Sequence, residues 1–207
     1  MISTNYNFLF VHIPKTAGNS IQNVLRAYSE DRIVIVAPHQ DGIERFEVRS
    51  DRYNIHKHST LQNYLDELGE DVLNNLFKFT TVRNPWDRMV SFYFSPHRGR
   101  VVWNRGEFIQ FVEQIPPITE HVALRNQGQS GDECFKNMDF FIRYEQLDED
   151  FKKACELIGI PCQRLPRRNQ SERQKYAVYY DTDLVELVGN RFRDEIRFFG
   201  YEFERDG

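Results

Sequence analysis

Phe8-Leu-Phe-Val-His-Ile-Pro-Lys-Thr-Ala-Gly-Asn-Ser20 is the stretch whose reading decides the fold. The apolar run Phe8–Ile13 reads as a buried strand. A loop with a proline, a lysine and small hydroxyl residues follows it. A helical pattern then begins, with Ile21, Val24, Leu25 and Tyr28 at i, i+3, i+4 and i+7. Strand, tight turn and helix N-terminus make a cradle for an anion, because unsatisfied amides and the helix dipole converge there. Lys15 supplies a cation, Thr16 and Ser20 supply hydroxyls, and the amides from Thr16 through Ala17, Gly18, Asn19 and Ser20 complete the cradle. The plainer alternative is an ordinary strand–helix turn with an exposed lysine.

Three further apolar runs, Ile33–Val36, Phe77–Val82 and Met138–Arg143, read as strands apolar on both faces, as in a sheet covered on both sides. Helical periodicity separates them. Leu61, Tyr64, Leu65 and Leu68 mark one helix, Trp86, Met89, Val90 and Tyr93 another, and Phe151, Ala154, Cys155 and Ile158 a third. A closing helix runs from Leu184 to Phe199. Strands alternating with helices predict a parallel sheet with right-handed crossovers, and ligands of such sheets lie beyond the carboxyl ends of the strands. Ser59-Thr-Leu-Gln62 fits a capping box, and Asn84-Pro85 fits a cap followed by proline at the first helical position, with Asp87 in the first turn. The segment 97–137, broken by Gly99, Gly106, Pro116-Pro117 and Gly128-Gln-Ser-Gly131, interrupts the alternation. It reads as a helical or loop insertion near the acceptor within a single domain, 1–207.

The chain has 207 residues, enough for one α/β domain, with 17 Phe and 10 Tyr to fill its core. Its net charge of −4 gives no general attraction to nucleic acid or an anionic membrane, so an anion site must be local. There is no apolar run long enough to span a bilayer, and Met1-Ile-Ser-Thr-Asn-Tyr-Asn lacks the basic and apolar regions of a signal peptide. The expectation is a cytoplasmic protein with Cys134, Cys155 and Cys162 reduced. A Cys155–Cys162 bridge is the alternative.

The second motif is Val82-Arg-Asn-Pro-Trp-Asp-Arg-Met-Val-Ser91. Arg83 stands at a strand end on the ligand edge. Ser91 lies in the second turn of the following helix, about 140° from its apolar stripe. An arginine fork plus a hydroxyl suits a second, separate anion. Two anion sites on one sheet edge imply a nucleotide with separated phosphates. A magnesium-dependent triphosphatase wants an acidic residue at a strand end. Here the third strand ends Thr-Val-Arg, and Asp139 lies at the opposite end of the fourth, which favours metal-free transfer. His56-Lys-His58 precedes a capped helix, and a histidine at the mouth of such a sheet is a natural general base. His39 and His56 compete with His58 for that role, and a polar loop histidine is the plain reading of each. His12, inside a strand, reads as structural.

Ile-Pro-Lys-Thr-Ala-Gly at 13–18, followed by Val-Arg-Asn-Pro-Trp-Asp-Arg at 82–88 and Ser91, resembles the carbohydrate-type sulfotransferases (sulfotransferase family 2). Phe140–Leu147, Leu165–Ser171 and Phe199–Phe203 resemble later landmarks of that family. The resemblance implies a P-loop NTPase-like three-layer α/β fold, with a central mostly parallel sheet flanked by helices. It also implies 3′-phosphoadenosine 5′-phosphosulfate as the sulfuryl donor and no metal. By that resemblance Lys15 meets the phosphosulfate, Thr16 to Ser20 hold the 5′-phosphate, and Arg83 with Ser91 hold the 3′-phosphate. His58 resembles the base of the uronyl 2-O-sulfotransferases, and Arg168-Asn-Gln-Ser171 resembles a loop that closes over the nucleotide through Arg168 and Ser171. The acceptor it implies is a carbohydrate or small molecule. His56, Arg98 and Arg100 are candidates to hold it, Arg105, Arg125 and Trp103 lie in the same insertion, and a solvated basic face is the alternative. The membrane anchor of the family's Golgi members has no counterpart here, which weighs against long extracellular polysaccharides. Oligomeric state is open. The rival functions are a magnesium-dependent small-molecule kinase and a nucleotide-binding module without turnover.

Overall fold

The structure is a computed structural model that describes residues 1–37, 43–125, 128, 130–166 and 173–205. His39, Arg168 and Ser171 fall outside the described residues. A four-stranded sheet runs in the order β1 (Ile2–Ser3), β2 (Phe8–Val11), β5 (Phe77–Val82), β6 (Phe140–Arg143). β2, β5 and β6 are parallel, with Phe10 beside Phe79 and Phe79 beside Phe140, and β1 pairs antiparallel with β2. The sheet is thus mostly parallel and flanked by helices.

Period-two alternation sorts each strand's side chains to two covered faces. Phe8, Phe10, Phe79 and Ile142 pack under α1 (Gly18–Leu25) and α7 (Leu147–Ile158). Leu9, Val11 and Val82 pack under α2 (Leu61–Leu68), α3 (Glu70–Asn74), α6 (Thr119–Val122) and the 3-10 segment Gly131–Asn137. Fully burying each such side chain is worth about 1.5–3 kcal/mol. A third cluster is formed by α4 (Pro85–Tyr93), α5 (Arg105–Gln114) and α8 (Thr182–Arg191). Segment 97–137 therefore supplies core from two places: Phe108 and Val112 to the third cluster, Ile118 and Val122 to the one around Leu9 and Val11.

Three expectations change. Ile33–Val36 does not join the central sheet. β3 (Arg32–Ile35) pairs antiparallel with β4 (Phe46–Arg49) in a separate two-stranded sheet, and Ile35 and Val36 are 64% and 61% exposed. Phe46 and Val48 of β4 carry that hairpin's core contact. The closing helix is two: α8 ends where Phe192 leaves helical geometry (ψ 26°), and α9 (Arg193–Phe199) starts directly after it. The break lets Leu184, Val188 and Phe192 fill the third cluster while Phe199 fills the one around Leu9 and Val11. The capping box is shifted by one residue, to Thr60 and Asn63. Ser59 Oγ instead accepts from the His56 amide at 2.8 Å, and the Ser59 amide donates to the His56 carbonyl at 3.0 Å. That turn presents His58.

Asn84 caps α4 as expected, accepting from the Trp86 amide at 3.1 Å with Pro85 behind it. The three cysteines are free thiols, and burial with the neighbouring Cys162 pushes the Cys155 thiol up to about 12. Among the described residues no helix is long and apolar enough to cross a membrane.

Candidate functional site

β2 delivers the chain to the carboxyl edge of the sheet, where residues 14–17 turn into α1. Lys15 and Ala17 both lie in the left-handed region, at φ 68° and 76°. Non-glycine residues there are held at a cost of about 1–3 kcal/mol each, so the surroundings must impose the shape. Side chains of the second motif do so. Arg88 Nε donates to the Pro14 carbonyl at 3.2 Å, and Arg83 Nη1 donates to the Lys15 carbonyl at 3.1 Å. From beneath, the Thr16 hydroxyl donates to the Ile13 carbonyl at 2.7 Å and meets the Thr81 hydroxyl. Thr16 is fully buried, backbone included, so its hydroxyl serves the loop's own shape. With two successive carbonyls drawn to arginines and no side-chain cap on α1, the amides of Gly18 and Asn19 remain for an anion, the Ser20 amide donating to the Ala17 carbonyl at 3.0 Å.

One cavity of about 620 Å³ opens above this loop. Lys15, Ala17, Gly18, Asn19 and Ser20 form one wall. Arg83, Ser91 and Tyr144 form another, and His58 and Lys57 a third. The fold thus brings the first motif, the second motif and the candidate base to one place. Arg98 lines the cavity too, its Nη1 donating to the Tyr93 carbonyl at 2.7 Å. Arg100 and His56 do not line it: Arg100 is exposed, and the His56 ring faces Arg49 at 3.4 Å. Arg105 is committed to Asp181 and Asp183 at 2.7 and 3.0 Å, and Trp103 is packed among Phe94, Phe108 and Tyr179. Arg125 likewise does not line it.

Arg83 is less free than its sequence position suggests. Nε and Nη2 both grip Asp87 Oδ2, at 2.7 and 2.6 Å, and the Tyr144 ring lies 3.7 Å from the guanidinium carbon. With Nη1 on the Lys15 carbonyl, three of a guanidinium's five N–H groups are engaged. The other Asp87 oxygen takes Arg173, a cavity-lining arginine that sequence reading did not single out. Nothing in the local pattern marks Arg173, because its relation to α4 is purely tertiary. Ser95 and Lys175 also line the cavity, as do Lys57 beside the candidate base and the histidines His12 and His97, weaker rivals of His58.

No acidic side chain lines the cavity among the described residues, in a chain whose net charge is −4. Cations crowded together and drawn out of water are less basic. Burial, then Arg83 and Arg173, lowers Lys15 to about 8, and its Nζ donates to Ser95 Oγ at 3.4 Å. Burial brings Lys57 to about 8 against the opposing pull of Glu47 and Glu44. His58 is surrounded by protein yet its ring is open to the cavity. Burial lowers it below the ordinary imidazole value, partly offset by the contact of its Nδ1 with the His12 carbonyl at 3.3 Å. That carbonyl accepts, so Nδ1 carries the proton and Nε2 is the basic nitrogen. Burial, with His58 next in weight, holds His12 well below its ordinary value, and its ring lies 4.5 Å from that of His58.

A strand–loop–helix turn and an arginine–serine wall thus share one cation-lined cavity on the carboxyl edge of a mostly parallel α/β sheet. The Sulfotransferase family model matches residues 1–202, and the chain belongs to that family. Membership makes it a sulfotransferase, with 3′-phosphoadenosine 5′-phosphosulfate the co-substrate the family implies and a small molecule or carbohydrate the acceptor class. No curated protein and no solved structure matches the chain significantly.

Proposed function

We propose that this sulfotransferase moves the sulfuryl group of 3′-phosphoadenosine 5′-phosphosulfate to a hydroxyl of a carbohydrate or glycoconjugate, by in-line transfer without a metal, within a P-loop-like fold. The observation that carries the reading is the meeting of Lys15, the amides of α1, Arg83, Ser91 and His58 on one cation-lined cavity. Lys15 and the amides at the head of α1 take the 5′-phosphosulfate. Ser91 and the uncommitted N–H groups of Arg83 take the 3′-phosphate, and Arg168 and Ser171 are further candidates to bind the nucleotide. Arg98 lies on the acceptor side.

In the transfer, His58 Nε2 removes the proton of the acceptor hydroxyl. The acceptor oxygen forms its bond to sulfur as the bond from sulfur to the 5′-phosphate oxygen breaks. Lys15 and the α1 amides stabilise the negative charge that collects on that phosphate oxygen, an oxyanion-hole role worth about 3–4 kcal/mol per lost donor. The products are the sulfate ester, 3′-phosphoadenosine 5′-phosphate and a protonated His58, which returns its proton to solvent through the open cavity. Location in the cytoplasm belongs to the same proposal.

The test is thermal unfolding with 3′-phosphoadenosine 5′-phosphate in EDTA against ATP with Mg²⁺. Bisphosphate at about 100 times its Kd should stabilise the fold by roughly 2.7 kcal/mol. Stabilisation by Mg-ATP alone would replace this reading with the kinase one.

A further inference from the structure

Beneath the phosphate loop lies a buried charged pair that the transfer does not touch. Arg88 of α4 and Glu195 of α9 are each 1% exposed, with Nη1 3.9 Å from Oε1. Besides that long contact, Arg88 spends its N–H groups on two carbonyls, Pro14 through Nε at 3.2 Å and Pro116 through Nη2 at 3.5 Å. Neither Glu195 oxygen makes a hydrogen bond of good geometry, although the Ile118 amide pulls on the carboxylate. Buried charges this poorly paired are weak contributors to stability, and an apolar pair of similar volume is often as good or better. Stability is therefore a poor account of why they stand here.

Geometry supplies a better one. Lys15 and Ala17 are strained, and such shapes persist only where the surroundings impose them. Arg88 pins the Pro14 carbonyl, one residue before the lysine, while Arg83 pins the next. In a trans peptide the N–H points opposite its C=O, so a Pro14 carbonyl held by Arg88 turns the Lys15 amide the other way. An arginine can do this from within the protein only with a counter-charge, and Glu195 is the carboxylate that reaches it. α9 also brings Asp194, and α6 places a buried His121, held neutral at about 3 by burial and by Arg88, on another side of Arg88.

We infer that Arg88 and Glu195 are positioning residues of the donor site. Glu195 holds Arg88 charged and in place, and Arg88 holds the Pro14 carbonyl so that Lys15 and the α1 amides are set for an anion before it binds. The inference builds on the proposed donor site, but the loop's rigidity can be read without any nucleotide.

The experiment uses the full chain carrying Arg88→Met with Glu195→Leu, which removes both charges together. Three quantities are compared with the parent protein: Tm, hydrogen exchange of the peptide covering residues 14–20, and the Kd of 3′-phosphoadenosine 5′-phosphate. The expected result is an unchanged or higher Tm, loop amides that exchange at least tenfold faster, and a Kd raised at least tenfold. Unchanged loop exchange at unchanged Tm would overturn the inference, whatever the nucleotide does. If the double variant does not fold, Arg88→Lys keeps the buried charge but loses the planar fork, and the same loop exchange decides. A parent protein that ignores the bisphosphate while the variant's loop loosens would refute the donor assignment and leave the positioning role intact.

Discussion

Replacing Gly18 by alanine sets two principles against each other and measures how tightly the phosphate loop is built. Gly18 opens α1, where helix propensity favours alanine by up to about 1 kcal/mol. Propensity alone therefore predicts a stabilised protein. The tertiary structure predicts the reverse, because an added Cβ would lie 2.0 Å from His12 Cδ2 and 2.3 Å from His12 Nε2. That ring has no room to retreat. His12 is 4% exposed, stacked on Phe10 at 6.3 Å and packed against the His58 ring at 4.5 Å. Overpacking of a rigid core costs about 1–3 kcal/mol, and a contact this short belongs at the upper end. Set against the propensity gain, the net loss is about 2 kcal/mol, or roughly 4–8 °C in Tm for a chain of this size. The strain should also push His12 into His58 and weaken bisphosphate binding. Thermal unfolding and calorimetric titration of Gly18→Ala read both effects. Adding His12→Ala removes the clashing ring, and the double-mutant cycle should show a coupling of at least about 1 kcal/mol. A Tm equal to or above that of the parent, with binding intact, would refute the reasoning.

Three predictions concern titration. Lys15, lowered to about 8 by burial and by Arg83 and Arg173, loses its charge as pH rises through that value. An anion favours the charged form, so binding takes up a proton and affinity for 3′-phosphoadenosine 5′-phosphate should fall above pH 8; Lys15→Arg should flatten the fall, and a parallel fall in that variant would assign the titration elsewhere. His58 is lowered beneath 6.5, so it is already neutral at pH 7 and the acid limb of kcat should lie below pH 6.5; a limb at higher pH would move the base to another residue. Glu195 is raised from 4.5 to about 7 by burial, with Arg88 opposing. The folded state thus holds a proton that the unfolded state has released, so stability should decline from pH 4.5 to pH 7 and then level. Glu195→Gln should remove that slope from urea unfolding measured across the range, and a slope that survives would belong to other groups.

The stretches that sequence reading placed well are those whose signal is local. Phe8–Val11 and Phe77–Val82 are continuous apolar runs bounded by turn residues, and a strand buried on both faces can hardly look otherwise. Asn84-Pro85 announces its helix because cap and first-turn proline are chemical necessities at that point. Ile33–Val36 misled because an apolar run carries no mark of which partner it will find. Its partner, Phe46–Arg49, alternates apolar and charged residues and was passed over, although that alternation is what a half-buried strand requires. The bend at Phe192 had no signal, since no proline or glycine stands there and the two cores it serves are remote in sequence.

By itself, then, the sequence determined the strand–loop–helix turn at Lys15, the parallel character of the central sheet and the cap at Asn84, because backbone sterics, hydrophobic periodicity and capping act over a few residues. Only the tertiary structure decided which donors remain for a ligand. It turned the Thr16 hydroxyl inward, engaged three N–H groups of Arg83, brought Arg173 and Lys57 to the cavity and set Arg88 on Glu195 beneath the loop. Those outcomes depend on distances between elements far apart in the chain, and hydrogen-bonding capacity in a buried site is shared among whatever the fold brings within about 3 Å.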